Sequence, residues 1–435
     1  MILTNRSEIL NNQLHIGGVA LSTLAKEFGT PLYVYDQVDI EYRINNYKEA
    51  FSSKQIKTNI AYASKAILTS YVAKIMQKHD LSIDAISIGD MYILKKSGFD
   101  LSKVYLHGNS KSNQELSYAI ENGIGIIVVD NLEEVDAIKE LAYKFNKGVR
   151  FMARINPDIY AKTHNHLITA EKNSKFGIAK ESKELKEKLI TLKDEKLISF
   201  QGFHCHIGSQ VNNTETFLIE VESMLELAEE FENELGINVN ELNFGGGYAI
   251  KQRQHESEPP VNDLLRRIVD LVETRKHEYG LSLKKITIEP GRSIIGPAGV
   301  TLYKVEATKR TAGDVNYVMV DGGMADNIRP SLYQAIYEAA IVDNAISKSN
   351  TITTIAGKCC ESGDILIKDI ELPNVRVGDY LAVFATGAYN YSMASNYNGL
   401  VKPAIVFVKD GKYVLTTKRE EVEQIHQNDL ETNII

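Results

Sequence analysis

Ile60-Ala61-Tyr62-Ala63-Ser64-Lys65-Ala66 decides how the chain is read: an apolar, strand-forming run whose one cationic side chain falls where the strand ends and a helix begins. A lysine in that place has two uses, a snorkelling surface charge or a covalent amine that forms a Schiff base with a carbonyl. Downstream, strand-like runs recur at residues 83–87, 104–108, 126–130, 149–157, 200–209, 242–247 and 286–291, each closing on a small or polar cluster, and with the Lys65 strand they make eight. Helical periodicity occupies residues 111–122, 132–145, 216–235 and 261–277 between them, the alternation that parallel crossovers require. Eight such units over about 250 residues predict a TIM barrel.

In that fold the chemistry gathers at the carboxyl ends of the strands. There the chain places Lys65 after the first strand, His206 and Ser209 after the sixth, Gly245-Gly246-Gly247 after the seventh and Glu289-Pro290-Gly291-Arg292 after the eighth. A triglycine turn offers backbone N–H groups without side-chain obstruction, and the loops after strands seven and eight are the usual phosphate seat. Such turns also close strands for backbone reasons alone. Ser209 adds a hydroxyl donor and Arg292 a fixed cation. A carboxylate such as Glu289 at the end of an apolar strand is costly unless it meets a cation, either a protonated pyridine nitrogen or Arg292 in a structural ion pair. Together these groups suit an organic phosphate with a reactive carbonyl. His204 and His206 face one side of their strand and read either as zinc ligands or, for His206, as a ring lying against a planar cofactor. No third ligand follows at metal spacing, so no metal is expected, and Cys205 between them points the other way into the core.

Further runs extend the pattern in order along the chain: Tyr62-Ala63-Ser64-Lys65-Ala66, Ser174-Lys175-Phe176-Gly177, residues 204–210, Gly245-Gly246-Gly247, residues 289–292, Arg329-Pro330-Ser331-Leu332-Tyr333, Cys360-Glu361-Ser362-Gly363-Asp364 and Gly387-Ala388-Tyr389. In these eight runs the chain resembles the meso-diaminopimelate decarboxylases, pyridoxal-phosphate enzymes of the alanine-racemase-like barrel group. The resemblance implies a cofactor-binding barrel over residues 31–297, with residues 1–30 and 298–435 forming a β-sandwich or barrel-like domain that contributes substrate and catalytic groups. It implies decarboxylation of meso-2,6-diaminopimelate to L-lysine, the last step of lysine synthesis. Lys65, His206 and Cys360 would be the catalytic residues: Lys65 would hold pyridoxal phosphate covalently, His206 would stack on its ring, and Cys360 would donate a proton across a homodimer interface. Glu289 would keep the pyridine nitrogen protonated, while Ser209, Gly245, Gly246, Gly247, Pro290, Gly291, Arg292 and Tyr389 would surround the cofactor and its phosphate. Arg292, Arg329, Tyr333, Glu361 and Tyr389 would hold the distal end of the substrate, which carries both an ammonium and a carboxylate.

Cys360 also has a plainer reading as a small buried hydrophobe, although Glu361 and Asp364 make its setting polar. The chain departs from the family pattern at several points. Ser87-Ile88-Gly89-Asp90 replaces Ser-Gly-Gly-Glu, Lys358 stands where a proline commonly precedes the cysteine, and Cys359 makes a vicinal pair with Cys360. Lys358 would lower the thiol pKa if it points inward. After Tyr397-Asn398 the sequence Gly399-Leu400-Val401-Lys402-Pro403 lacks the arginine often found there.

Beyond Arg292 the texture becomes strand-rich, at residues 300–309, 315–320, 351–356, 380–384, 404–409 and 413–417, which predicts the second, all-β domain. The charged segment 181–196 reads as a solvated helix with i to i+4 pairs such as Glu184 and Lys188. The 435 residues, 43% hydrophobic and 24% charged, suffice for two cores, and no apolar run reaches the length of a membrane span. The opening residues 1–8 carry no apolar h-region, and three cysteines are too few for a disulfide framework, so a reducing cytoplasm is the expected compartment. A net charge of −8 with dispersed basic residues argues against nucleic acid as a partner.

Overall fold

The computed structural model describes residues 6–159, 174–257, 259–346 and 351–430. The chain divides into two compact units, Arg43–Ile250 with Pro259–Ser293, and Met1–Tyr42 with Lys251–Glu258 and Ile294–Ile435.

The first unit is an eight-stranded parallel barrel: β1 (Lys57–Ala63), β2 (Ser82–Ala85), β3 (Val104–Leu106), β4 (Ile126–Val129), β5 (Val149–Asn156), β6 (Ile198–His204), β7 (Glu241–Asn243) and β8 (Lys285–Ile288). Neighbours in sequence are neighbours in space, and closure is made by β8 on β1, in register from Lys285↔Lys57 to Ile288↔Ile60. The strands are short runs buried on both faces, as in the all-buried Ile-Ile-Val-Val of β4, which is why they read as continuous apolar segments rather than alternating ones. Ala61, Tyr105, Ile126, Val128 and Met152 cluster in the core of this unit. The intervening helices start on side-chain caps: Ser112 and Glu115 form a capping box for Asn113–Glu121, and Asn131 accepts from the Glu134 N–H for Leu132–Phe145.

Three strands stop three or more residues earlier than their sequence suggests. The ladder of β6 ends at His204 rather than 209, that of β7 at Asn243 rather than 247, and that of β8 at Ile288 rather than 291. In β7 the reason is Gly245, whose φ of +60° cannot continue a strand. Strand β6 also carries a register shift against β5 between Phe200 and Gly202, where a Cβ on Gly202 would lie 1.9 Å from the Glu241 carbonyl oxygen. The expected charged helix is Lys183–Thr191, but the Glu184 to Lys188 pair does not form. Lys188 instead reaches Asp136 on the helix Leu132–Phe145 at 2.8 Å, and Glu184, in the first turn, accepts from the Ser182 hydroxyl at 2.9 Å.

The second unit is built on a mixed sheet in the order Ile365–Leu372, Thr351–Ala356, Asn316–Val320, Gly299–Arg310, Leu32–Asp36, Ala404–Lys409, Lys412–Thr417, with Tyr380–Val383 also pairing Gly299–Arg310. Leu32–Asp36, buried along its whole length, runs antiparallel to Gly299–Arg310 and parallel to Ala404–Lys409. Two clusters fill this unit, one around Leu14, Leu24, Val34, Leu302 and Val406, the other around Tyr303, Val318, Ile355 and Leu381. Among the described residues no helix is long and apolar enough to cross a membrane.

Candidate active site

Every barrel strand delivers a polar or titratable group at or just beyond its carboxyl end: Lys65, Asp84, His107, Asp130, Arg154, His204, Asn243 and Glu289. Sequence reading found Lys65, His204, His206 and Glu289, and missed Asp84, His107, Asp130, Arg154 and Asn243. Their shared position at a strand end was the available signal.

Glu289 is the centre of this set. Its carboxylate accepts from Asn243 Nδ2 at 2.7 Å, meets His204 Nε2 at 3.2 Å and has His107 Nε2 at 2.8 Å. The ion pair with Arg292, one of two partners open from sequence, is not among these contacts; Arg292 Nη2 instead donates to Ser209 Oγ at 3.1 Å. Burial alone would raise the Glu289 pKa, but the two histidines outweigh it and hold the carboxyl well below its usual range. His204, desolvated more than Glu289 can offset, falls to about 4, so it donates to Glu289 from a neutral ring. Asp84 moves the other way, to about 7, through burial and the nearby charge of Glu289, while its Oδ1 accepts from the Ser64 N–H at 2.7 Å.

Of the two histidines weighed as zinc ligands from sequence, His204 groups with His107 and Glu289, their ligand atoms all within 4.8 Å of one another, whereas His206 Nδ1 accepts from the Gly246 N–H at 3.2 Å. That bond leaves Nε2 to carry the proton of the neutral His206 ring. Desolvation, followed by the charges of Lys65 and Arg154, lowers the His206 pKa well below its ordinary value. A Cβ on Gly245 would stand 2.9 Å from His206 Nδ1, one on Gly246 2.0 Å from the Glu289 carbonyl oxygen, and one on Gly247 2.1 Å from the Gly208 carbonyl oxygen. The triglycine is therefore needed for close approach, and two of its N–H groups are engaged inside the site, by Asn243 Oδ1 and His206. Cys205 is buried as expected but is more than filler, since its thiol donates to Glu220 Oε1 at 2.9 Å.

The departures around β2 leave the loop anchored. Ser87 caps the helix Ile88–Ser97, and the shorter acid Asp90 accepts from the Ile86 N–H at 2.9 Å and the Ser64 hydroxyl at 3.3 Å, beside Lys65. The Phe176-Gly177 motif is held the same way: the Arg154 guanidinium lies 4.5 Å over the Phe176 ring, and the Gly177 N–H donates to Asp130 at 3.1 Å.

The second unit gathers the remaining groups. Arg329, 3% exposed, begins the short helix Arg329–Tyr333 and places its guanidinium between two rings, 4.9 Å from Tyr333 and 5.3 Å from Tyr389. Tyr389 itself has φ of +61°, a strained conformation for a bulky residue. Ser331 Oγ donates to the Gly363 carbonyl at 2.7 Å, tying that helix to the loop of Cys360 and Glu361. In this loop Asp364 accepts from the N–H groups of Met324 at 2.7 Å and Cys359 at 2.8 Å. The Cys360 N–H donates to Asn398 Oδ1 at 2.7 Å. All three cysteines are free thiols; Cys359 is turned inward, with burial raising it to about 11, and Cys360 is exposed rather than the small buried hydrophobe of its plainer reading. The Lys358 side chain is exposed.

A lysine, an ionised buried glutamate, a neutral histidine against a glycine turn and an arginine near a serine hydroxyl suit pyridoxal phosphate in their chemistry, and the turn packs too closely on Cys205, Glu289 and Gly208 to admit a side chain. The sequence signature described as pyridoxal-dependent decarboxylase, pyridoxal binding domain, matches residues 37–296, and the chain belongs to that class. Within it the chain is a member of the diaminopimelate decarboxylase family. It is 41% identical over 420 residues to the diaminopimelate decarboxylase of Bacillus subtilis, covering 97% of this chain and 96% of that one. The structure of the M. jannaschii diaminopimelate decarboxylase in complex with L-lysine superposes with a TM-score of 0.93 at 32% identity over 99% of both chains. That of the Helicobacter pylori enzyme, also complexed with L-lysine, gives 0.85 at 31% identity, over 94% of this chain and 98% of that one.

Proposed function

We propose that this protein is a carboxy-lyase that converts meso-2,6-diaminopimelate to L-lysine and carbon dioxide, works as a cytoplasmic homodimer, and divides the labour between residues 31–297, which seat the cofactor, and the remainder, which supplies substrate and proton-donor groups. The observation that carries the reading is the Glu289 carboxylate, kept ionised by His107 and His204 and hydrogen-bonded by Asn243 at the mouth of a barrel that also presents Lys65. Bound pyridoxal phosphate supplies an electron sink for the carbanion left by decarboxylation.

The protein's own groups do the rest. The Lys65 amine would hold the cofactor covalently. Glu289 supplies the fixed negative charge that would keep the pyridine nitrogen protonated, and the neutral His206 ring would offer a flat face for stacking. Ser209, Arg292, Tyr389 and the turns Gly245–Gly247 and Pro290-Gly291 would hold the cofactor and its phosphate. Arg292, Arg329, Tyr333, Glu361 and Tyr389 grip the distal amino-acid centre, where both signs of charge are needed. Cys360 delivers the proton to Cα from an exposed loop fixed through its backbone to Asn398. The dimer reading draws support from the exposure of Cys360 and Glu361 and from Leu332 in the Arg329 helix and Ile336 just after it, 46% and 49% exposed. The three free thiols agree with a reducing compartment.

Carbon dioxide release from the cofactor-loaded protein, offered meso-diaminopimelate, ornithine, arginine, lysine and carboxynorspermidine in parallel, tests the reading. Release from diaminopimelate alone, with lysine accumulating, is the expected result. Release from another substrate overturns the specificity, and a yellow protein inert on all five overturns the activity.

A further inference from the structure

At the amino-terminal end of the barrel, away from the strand ends that carry Lys65, His206 and Glu289, a cavity of about 380 Å³ opens among the first residues of β1, β2, β3 and β8. Five cationic side chains line it, Lys48, Lys57, Lys103, Arg150 and Lys285, against one carboxylate, Asp80. The chain as a whole carries a net charge of −8, so this concentration of positive charge runs against the composition. Asp80 is already bonded to Lys103, and Lys285 is paired at 2.6 Å with Glu241, buried inside the barrel. Lys57 and Lys285 are register partners on the adjoining strands β1 and β8. Two like charges side by side at a strand junction repel, and the arrangement is stabilised when an anion lies between them.

The floor below is polar as well. Tyr105 receives from Lys285 Nζ at 2.9 Å and donates to Glu241 at 2.7 Å, while Ser82 donates to Asn59 at 3.0 Å. Ordinary small-molecule pockets are mostly apolar. This one offers ammonium and guanidinium donors in a space equal to about a dozen water volumes.

We propose that this cavity is a binding site for a small multivalent oxyanion, phosphate- or polycarboxylate-bearing, held by Lys57, Arg150 and Lys285. Lys285 contributes by facing both the buried Glu241 and the cavity, and Lys57 and Arg150 by closing the exposed rim. None of the three belongs to the cofactor or substrate machinery, so the site works whether or not the barrel's reaction is the one assigned above.

The test is calorimetric titration of the full-length, cofactor-loaded protein at low salt with inorganic pyrophosphate and, separately, with citrate. One equivalent is expected to bind, with affinity falling as salt is raised and with a rise of several degrees in melting temperature at saturation. Lys57→Glu with Arg150→Glu is expected to weaken binding at least about tenfold while leaving turnover unchanged, and Lys54→Glu, an exposed charge outside the lining, is expected to bind as the unaltered protein does. Binding of pyrophosphate alone identifies a phosphate ligand, of citrate alone a carboxylate ligand, and of both a site that reads charge. Binding of neither, or equal binding by the double variant, overturns the proposal. If the double variant fails to fold, Lys57→Gln alone decides, with unchanged affinity counting against the site.

Discussion

Glu289 in the barrel unit and Cys360 in the β unit stand at opposite extremes of exposure. Glu289 is buried, and its two oxygens are taken up by Asn243, His204 and His107. Cys360 is exposed, and what fixes it is its backbone N–H on Asn398 rather than any bond that occupies the thiol. The contrast follows from what each group is proposed to do. A charge that must stay in place is best held in a dry, fully bonded setting, where reorganisation costs nothing at the moment of reaction. A group that must hand over a proton needs its reactive atom accessible, so the structure constrains the main chain and leaves the sulfur able to move.

The contrast breaks most visibly at Lys65. Lys65→Ala is expected to give a colourless protein without turnover after incubation with pyridoxal phosphate; retained yellow colour and activity would remove Lys65 from its role. Cys360→Ala is expected to stay yellow and lose about 10²- to 10⁴-fold in kcat, the usual worth of a placed general acid. Mixing the two inactive variants sharpens the comparison. If the barrel and the thiol of one site come from different subunits, the mixed dimer holds one intact site, and about a quarter of the unaltered activity returns. No recovery would mean that each chain completes its own site. Arg329→Lys comes next: loss of stacking on Tyr333 and Tyr389 is expected to raise KM about tenfold, corresponding to ~1.4 kcal/mol, with the colour kept.

The smallest effect concerns Glu220, fully buried behind β6 and raised from 4.5 to about 8 by burial. A raised folded-state pKa means that the folded protein holds a proton the unfolded chain has released. The stabilisation is complete below about pH 4.5 and is lost as pH rises to about 8. Glu220→Gln, which cannot ionise, is expected to flatten the fall in melting temperature across this window by a few degrees. Parallel curves for the two proteins would show that Glu220 is not a neutral acid in the fold.

Much of the barrel was legible because each β-α unit is local: a buried apolar run, a polar strand end and a capped helix lie within a few tens of residues. Leu32–Asp36 escaped notice because its partners, Gly299–Arg310 and Ala404–Lys409, are hundreds of residues away and nothing near it says which sheet it joins. The site divides along the same line. Lys65, Glu289 and the triglycine are unusual for their own neighbourhoods. His107 and Asn243 look like ordinary turn residues, and become significant only when closure of the barrel brings them to one carboxylate. The wrong expectation for Lys188 has the same origin, since Asp136 is a neighbour only in three dimensions.

The register shift at Phe200 and Gly202 has a consequence for parity. A strand shows alternate residues to alternate faces, so the extra residue sets the phase of everything after it. With the shift in place His204 faces Glu289 and Cys205 faces Glu220. Were the strand regular there, with the same number of residues, the two faces would be exchanged, sending a thiol to the Glu289 side and an imidazole to the helices. Gly202 is thus a phase marker, and a change there that straightened the strand without removing a residue would rewrite the chemistry of the barrel mouth without altering one of its named residues.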